Sequence, residues 1–359
     1  MNTAIPRRDE VWSVTPEPSG GWGPVTALAH LTARLLEADL TEIHPSKKYG
    51  RMRQAASLVP RRRSRSGPSL LIIAASPGHL LELSGLTAHL RGFDRIVAWV
   101  IDSFWDDELP RFARQLRTID HLWITDGELV DSYARRMKVP VGWAPWGTDA
   151  LARWEEAAAG AELSSVRNID VHRLGRQPAA WNDDATNESL FARHGLTYAG
   201  RFPGHPTDGL ANQRAVIAEL SRSRVVLASS NLASPSEYTH PEREYLTARF
   251  TDSMACGAIV AGAIPRCRAA SLLPAEGLVD IDVSSREAGV DEIVTAARSW
   301  TPEIAGRLRR AALERLDWRW RIAEIAESLE LRPATLDAEM ARLRAAMEAP
   351  GAEPDETGS

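Results

Sequence analysis

The chain has 359 residues, enough for two domains of ordinary size, and its 44% apolar and 25% charged content is that of a soluble globular protein. A formal net charge of −5 gives no electrostatic case for nucleic acid or an anionic membrane, and no apolar run approaches the about 18 residues of a spanning helix. The opening MNTAIPRRDE has no apolar signal core, and Cys256 and Cys267 make neither a disulfide framework nor a metal motif; a cytoplasmic protein without a bound metal or cofactor is expected. Along the chain, VWSV (11–14) has strand character. TPEPSGGWGP (15–24) is a glycine and proline loop, and Val25, Leu28, Leu31 and Leu35 then repeat at helical spacing. Residues 44–68 are basic and irregular, a loop ending in RRRSRS. SLLIIAAS (69–76) and RIVAWVID (95–102) are buried strands by their continuous apolar character, with PGHLLELSGLTAHL as turn and helix between them. DELPRFARQL is a helix, HLWIT a strand, GELVDSYARRM a helix and VPVGWAP a short strand.

The helix DALARWEEAAAGAELSS (149–165) has few large apolar residues and marks a boundary. Alternation then restarts. NIDVHRLG, LTYAGRF, SRVVLASS, AIVAG and GLVDIDV read as strands; NESLFARHG, GLANQRAVIAEL, REYLTARFTDSMACG, VDEIVTAARSW and PEIAGRLRRAALERL read as helices. Alternating strands and helices predict parallel sheets with helices on both faces. The expected organisation is an α/β chain with two Rossmann-like, doubly wound domains. Residues 1–150 form an N-terminal domain, 151–168 a linker, 169–331 a C-terminal domain, and 332–359 a tail helix with a polar, disordered end. Such sheets take ligands at the carboxyl ends of their strands, beside helix N-termini, and two of them would face a cleft. Lysine occurs only at Lys47, Lys48 and Lys138, so cationic work beyond that point falls to Arg and His. The Arg- and Ala-rich composition suggests a GC-rich bacterial genome.

The segment REYLTARFTDSMACGAIVAG (243–262) places Glu244 and Asp252 eight residues apart. On one helix that spacing is a rise of about 12 Å, too far to share a proton or a metal. Two such carboxylates suit the two hydroxyl-rich ends of one elongated ligand, with an anion favoured between them at the helix N-terminus. A nucleotide sugar has that anatomy. Gly257 would end the helix.

E-YLTARFT-D-SMACG resembles the acid, seven residues, acid signature of the retaining GT-B glycosyltransferases of family four. APWGTD (144–149) is similar to the P-x-G-x-D element that closes their N-terminal domain. HRLGRQ resembles their G-R loop, and PSGGWGP their first strand–helix loop. The resemblance covers roughly residues 10–330. It implies two facing Rossmann-like domains and metal-independent, retaining transfer of a sugar from a nucleotide-diphospho sugar, UDP-linked or other, to a small molecule, glycan or protein. It implies Asp252 at the ribose hydroxyls, Glu244 at the donor sugar, Arg176 at the diphosphate and Gly257 near the nucleotide. Gly20, Gly21, Trp22 and Gly23 would face donor phosphate and acceptor. Two departures stand out. The second acid is Asp, one methylene shorter than Glu. The family's phosphate Lys has no counterpart, which leaves Arg201 or Arg249 to act beside Arg176. An inverting reaction would need a base, and His79 and then Asp102, each following a buried strand, are the candidates.

Plainer roles stand beside these. Glu244 and Asp252 could be solvated helix charges, Arg176 a surface arginine, His79 a capping histidine, Asp102 a helix cap, and the glycines a turn. Trp22, Trp105 and Trp146 could stack on a sugar or simply pack. A nucleotide-sugar epimerase or hydrolase of the same fold, and a silent partner protein that kept the fold alone, are the competing functions.

Overall fold

In the computed structural model, the residues described are 8–16, 20–44, 67–83, 90–108, 118–137, 139–160, 167–202, 204 and 207–349. Most of the basic loop at 44–68, most of the helix expected at 107–116 and the end of the tail lie outside them. The chain divides into two compact units. The first comprises Met1–Trp146, His205–Gln213 and Arg319–Ala338; the second comprises Gly147–Gly204, Arg214–Trp318 and Glu339–Ser359.

The first unit holds one six-stranded parallel sheet in the order β2-β1-β3-β4-β5-β6. Its strands are β1 (Glu10–Val14), β2 (Asp39–Ile43), β3 (Ser69–Ala74), β4 (Arg95–Val100), β5 (His121–Ile124) and β6 (Val141–Trp143). Every residue of β3 is buried, as its unbroken apolar run requires of a central parallel strand. β2 (DLTEI) is partly exposed along its length. Its polar composition hides it from a search for apolar runs. Between these strands, the described residues form α1 (Gly23–Leu35), α2 (Pro77–Glu82) and α3 (Val130–Met137). Trp12, Leu70, Ile72, Phe93, Ile96 and Tyr133 belong to its core, with Trp12 and Phe93 edge to face at 5.9 Å.

The second unit holds a five-stranded parallel sheet in the order β11-β10-β9-β7-β8. Its strands are β7 (Ile169–Arg173), β8 (Tyr198–Ala199), β9 (Ser223–Leu227), β10 (Ile259–Gly262) and β11 (Leu278–Asp280). Helix α4 (Ala150–Ala159) precedes these strands, and α5 (Asp184–Arg193), α6 (Gly209–Ser221, its first turn in the first unit), α7 (Ala248–Ala255), α8 (Val290–Ser299) and α9 (Pro302–Arg315) lie between and after them. The chain then adds α10 (Trp318–Ser328) and α11 (Ala334–Glu348). Residues 319–338 belong to the first unit. There Trp123 donates its indole N–H to Ser328 Oγ at 3.1 Å, Ser69 Oγ donates to Leu329 O at 3.3 Å, and Thr335 donates to Glu37.

The PWGTD element is explained locally. A Cβ on Gly147 would lie 2.3 Å from Leu316 O, so only glycine fits. Thr148 and Asp317 form a parallel bridge, and Asp149 caps α4 by accepting Ala152 N–H at 3.3 Å.

One expectation is corrected. The helix carrying the acid signature begins at Ala248, not near Arg243, and Thr247 before it is extended at φ −122°, ψ 164°. Side chains satisfy the upstream backbone. His240 Nδ1 accepts the N–H of both Glu242 and Arg243 at 3.1 Å, and Asn231 Nδ2 donates to His240 O and Arg243 O at 3.2 and 2.6 Å. Glu244 and Asp252 therefore do not share a helix, and the 12 Å helical spacing does not apply to them.

Candidate functional site

In the second unit the chain passes from β7 to β8 on one side, then crosses to β9 on the other. The carboxyl ends of β7 and β9 thus flank a topological switch point, where doubly wound sheets bind ligands. The turn after β7 is Leu174-Gly175-Arg176-Gln177. Gly175 has φ +73°, and a Cβ there would sit 2.8 Å from Arg249 Cδ. Glycine therefore both permits the left-handed turn and lets the Arg249 side chain lie against the backbone. Gln177 Nε2 donates to Leu174 O at 3.2 Å and Leu227 O at 2.9 Å, tying the β7 turn to the end of β9.

Two guanidiniums meet at this point. Arg176 donates from Nη1 to Ser236 Oγ, and its guanidinium lies over the Tyr238 ring at 4.6 Å. Arg249 is in the first turn of α7, where its Nε donates to Thr247 Oγ1 at 3.3 Å. The Thr247 side chain makes no capping bond to the helix. Arg249 Nη1 is buried and has no hydrogen-bond partner. Burial first, and the Arg176 charge second, lower the Arg249 pKa to about 10. Neither arginine takes part in an ion pair with Asp or Glu among the described residues. Two like charges, an orphaned buried donor and a helix N-terminus without a side-chain cap all favour an anion, and the paired planar forks suit a diphosphate.

The other donor-side candidates have surroundings of their own. Arg201 is exposed just after β8, its backbone N–H bound to Asp184 Oδ2 at 3.0 Å. Asp252 is on α7 one turn beyond Arg249 and only 2% exposed. Glu244 is half-buried and accepts Arg266 N–H at 2.8 Å, in the loop after β10. Gly257 has φ +77° and ends α7 in a Schellman motif: Ala258 N–H bonds Ser253 O and Gly257 N–H bonds Met254 O, both at 2.9 Å. Its Cβ side faces Ala305 at 2.8 Å, so this glycine serves the helix end and its packing on α9.

In the first unit, Gly20–Trp22 form a 3₁₀ turn ahead of α1. A Cβ on Gly23 would lie 2.7 Å from Gly209 O, so this glycine admits the start of α6. The turn brings Trp22 to 6.5 Å from the His79 ring, edge on. Ser76 caps α2 by accepting His79 N–H at 3.4 Å, and its hydroxyl lies 2.8 Å from His79 Nδ1. Burial lowers the His79 pKa. Asp102 follows β4, its N–H bonded to Ala75 O at 2.8 Å, and burial raises its carboxyl to about 7. The turn after it is held by Tyr133 OH donating to Ser103 O at 2.7 Å and Ser103 Oγ accepting Asp126 N–H at 3.0 Å. Trp105 is half-buried, and Trp146 is buried as a packing residue. No group of three or more metal-ligating side chains occurs among the described residues, and no helix of theirs is long and apolar enough to cross a membrane.

Sequence reading missed Ser236, Tyr238 and Thr247. All three lie in the irregular segment between β9 and α7, where no periodicity marks a residue. For Ser236 and Tyr238 the run SPSEYT, polar residues around one aromatic, was the available signal.

These features define an α/β chain of two parallel sheets, with two arginines beside the switch point of the second. No protein-family model matches the chain, and no curated protein matches it. Solved structures do share its fold. The Anabaena protein Alr3699/HepE in complex with UDP aligns over 90% of this chain and 99% of its own, at 13% identity and a TM-score of 0.52. The same protein with UDP and glucose aligns over 90% and 99%, at 14% identity and a TM-score of 0.53. Sucrose-phosphate synthase (tll1590) from Thermosynechococcus elongatus aligns over 89% and 98%, at 12% identity and a TM-score of 0.50. At these identities the likeness is one of fold.

Proposed function

We propose that the chain is a glycosyltransferase that takes a nucleoside-diphosphate sugar as donor. The observation that carries the reading is the Arg176–Arg249 pair at the β7/β9 switch point, with the buried Arg249 Nη1 lacking a partner. Two arginines and a helix N-terminus offer the fixed positive charge that a departing diphosphate requires. The fold likeness to a protein solved with UDP and glucose supports the same class of ligand and makes UDP the first nucleotide to test.

In this reaction the bond from sugar C1 to the diphosphate oxygen breaks and an acceptor oxygen bonds C1. The acceptor proton passes to the departing diphosphate in a retaining transfer, the course proposed here, in which the arginines supply charge without a metal ion. Glu244, facing the loop after β10, is proposed on the sugar side. Asp252, buried on α7 one turn beyond Arg249, is proposed at the ribose hydroxyls. An inverting course would need a protein base, and Asp102, poised near pH 7, suits that work better than the hydroxyl-bound His79. The acceptor is left as a small molecule, a glycan or a protein.

The test is a calorimetric titration with UDP, GDP, ADP and dTDP, repeated on Arg249→Ala. Saturable binding of at least one nucleotide, weakened tenfold or more in the variant, is the expected result. Failure of all four to bind would end the reading and favour a partner protein that keeps only the fold.

A further inference from the structure

The exposed large apolar side chains of the described residues are Leu232 and Tyr238, at 40% and 70%. Both belong to the segment that leads from β9 to α7, beside the arginine pair. This segment is firmly built. Asn231 and His240 bind its backbone from within, Ser234 Oγ donates to Ser230 O at 3.1 Å, and residues 236–239 form a closed turn. In that turn Thr239 N–H and Thr239 Oγ both reach Ser236 O, at 3.0 and 2.9 Å, and Thr239 Oγ also accepts Ser236 N–H at 2.9 Å. Tyr238 sits inside this turn, so its backbone is fixed while its ring stands in solvent. The Arg176 guanidinium lies over the ring, and the phenol is close enough to act on the charge of Arg249.

A rigidly presented aromatic ring costs free energy in water and gains it back when a flat partner covers it. Beside a site for a diphosphate, the flat group one ribose away is the base. We infer that Tyr238 is the stacking platform for the base of the bound nucleotide, with Arg176 linking ring and diphosphate. This deepens the donor-site reading and depends on it. Stacking is tolerant of base identity, so Tyr238 would add affinity for any nucleoside diphosphate and none for inorganic pyrophosphate.

The experiment measures dissociation constants of UDP and of inorganic pyrophosphate for the wild-type chain, Tyr238→Ala and Tyr238→Phe. Tyr238→Ala is expected to weaken UDP about tenfold or more and to leave pyrophosphate within about twofold, while Tyr238→Phe keeps both. An equal loss of UDP and pyrophosphate would overturn the platform, because Tyr238 would then act only through Arg176. Unchanged UDP affinity in Tyr238→Ala would also overturn it while leaving the donor site standing. A wild-type chain that binds neither ligand would sink the donor site, and the platform with it. The site of substitution is exposed, so a folding defect is not expected, and a thermal melt of each variant checks that.

Discussion

At the scale of single residues, Arg249 and Asp102 are two groups whose charge burial disfavours. Arg249 keeps a buried donor unpaired beside a second guanidinium, so its positive charge is a cost in the free protein and an asset when an anion arrives. Arg249→Ala should therefore weaken UDP and pyrophosphate alike by about 1.5–3 kcal/mol, the scale of a hydrogen bond to a charged group. The melting temperature of the unliganded chain should hold or rise. Calorimetry and a thermal melt on one preparation read both effects; a variant with a lower melting temperature and intact affinity would contradict them. Asp102 carries the opposite lesson in pH. Its folded pKa of about 7 lies above the ordinary 3.8, so between those values the folded state binds more protons than the unfolded state. Stability contributed by the protonated carboxyl is then complete below about pH 4 and is lost as pH rises toward 7. The loss is at most roughly 4 kcal/mol, since each pH unit between the two values is worth about 1.36 kcal/mol. Asp102→Asn should flatten this part of the stability profile in urea unfolding between pH 4 and 8. An unchanged slope would mean that the Asp102 carboxylate is as well hydrated in the folded chain as in the unfolded one.

At the scale of elements, α7 shows what sequence can and cannot tell. Its end was legible, because Gly257 alone can take the left-handed conformation that closes a Schellman motif. Its start was not, because the residues that stop it are Asn231 and His240, which reach back from elsewhere in the segment to take the backbone groups a longer helix would use. The buried strands were legible from unbroken apolar runs. The edge strand β2 was not, since its side chains meet water and carry no such signature. The same contrast governs the site: Arg176 and Arg249 lie near readable motifs, whereas Tyr238 lies in a turn without periodicity. Two substitutions separate the ends of α7. Gly257→Ala adds a Cβ against Ala305 in a strained conformation and should destabilise by about 1–3 kcal/mol. Because Gly257 is about 12 Å along the axis from Arg249, nucleotide affinity of the folded variant should hold. Thr247→Asp should do the reverse. A carboxylate at the N-cap stabilises the helix by about 0.5–1 kcal/mol but occupies the arginines, so UDP binding should weaken at least tenfold. Denaturant curves paired with titrations decide this, and parallel changes in stability and affinity in either variant would refute the division of labour.

At the scale of the whole molecule, the chain does not finish its first unit until residues 319–338 arrive. Their contribution to the core is large: Ile322, Ile325, Ala326, Leu329 and Leu336 are all buried. Ser69, Trp123 and Glu37 bond to this stretch, and Arg321 Nε donates to Pro145 O at 3.3 Å. Burial of each large aliphatic side chain contributes about 1.5–3 kcal/mol, so the four in this stretch supply roughly 6–12 kcal/mol. That is comparable with the entire stability of an ordinary domain. A chain ending at Asp317 is therefore expected to lose fixed tertiary structure in its first unit, while its β3 and β4 segments remain apolar and prone to collapse. The measurements are near-ultraviolet circular dichroism, which the tryptophans of this unit dominate, and binding of a hydrophobic dye. Loss of the signal with a gain in dye binding is the expected outcome. A truncated chain with the full-length spectrum and an unshifted, cooperative melt would mean that the sheet β2-β1-β3-β4-β5-β6 is complete without its late-arriving helix.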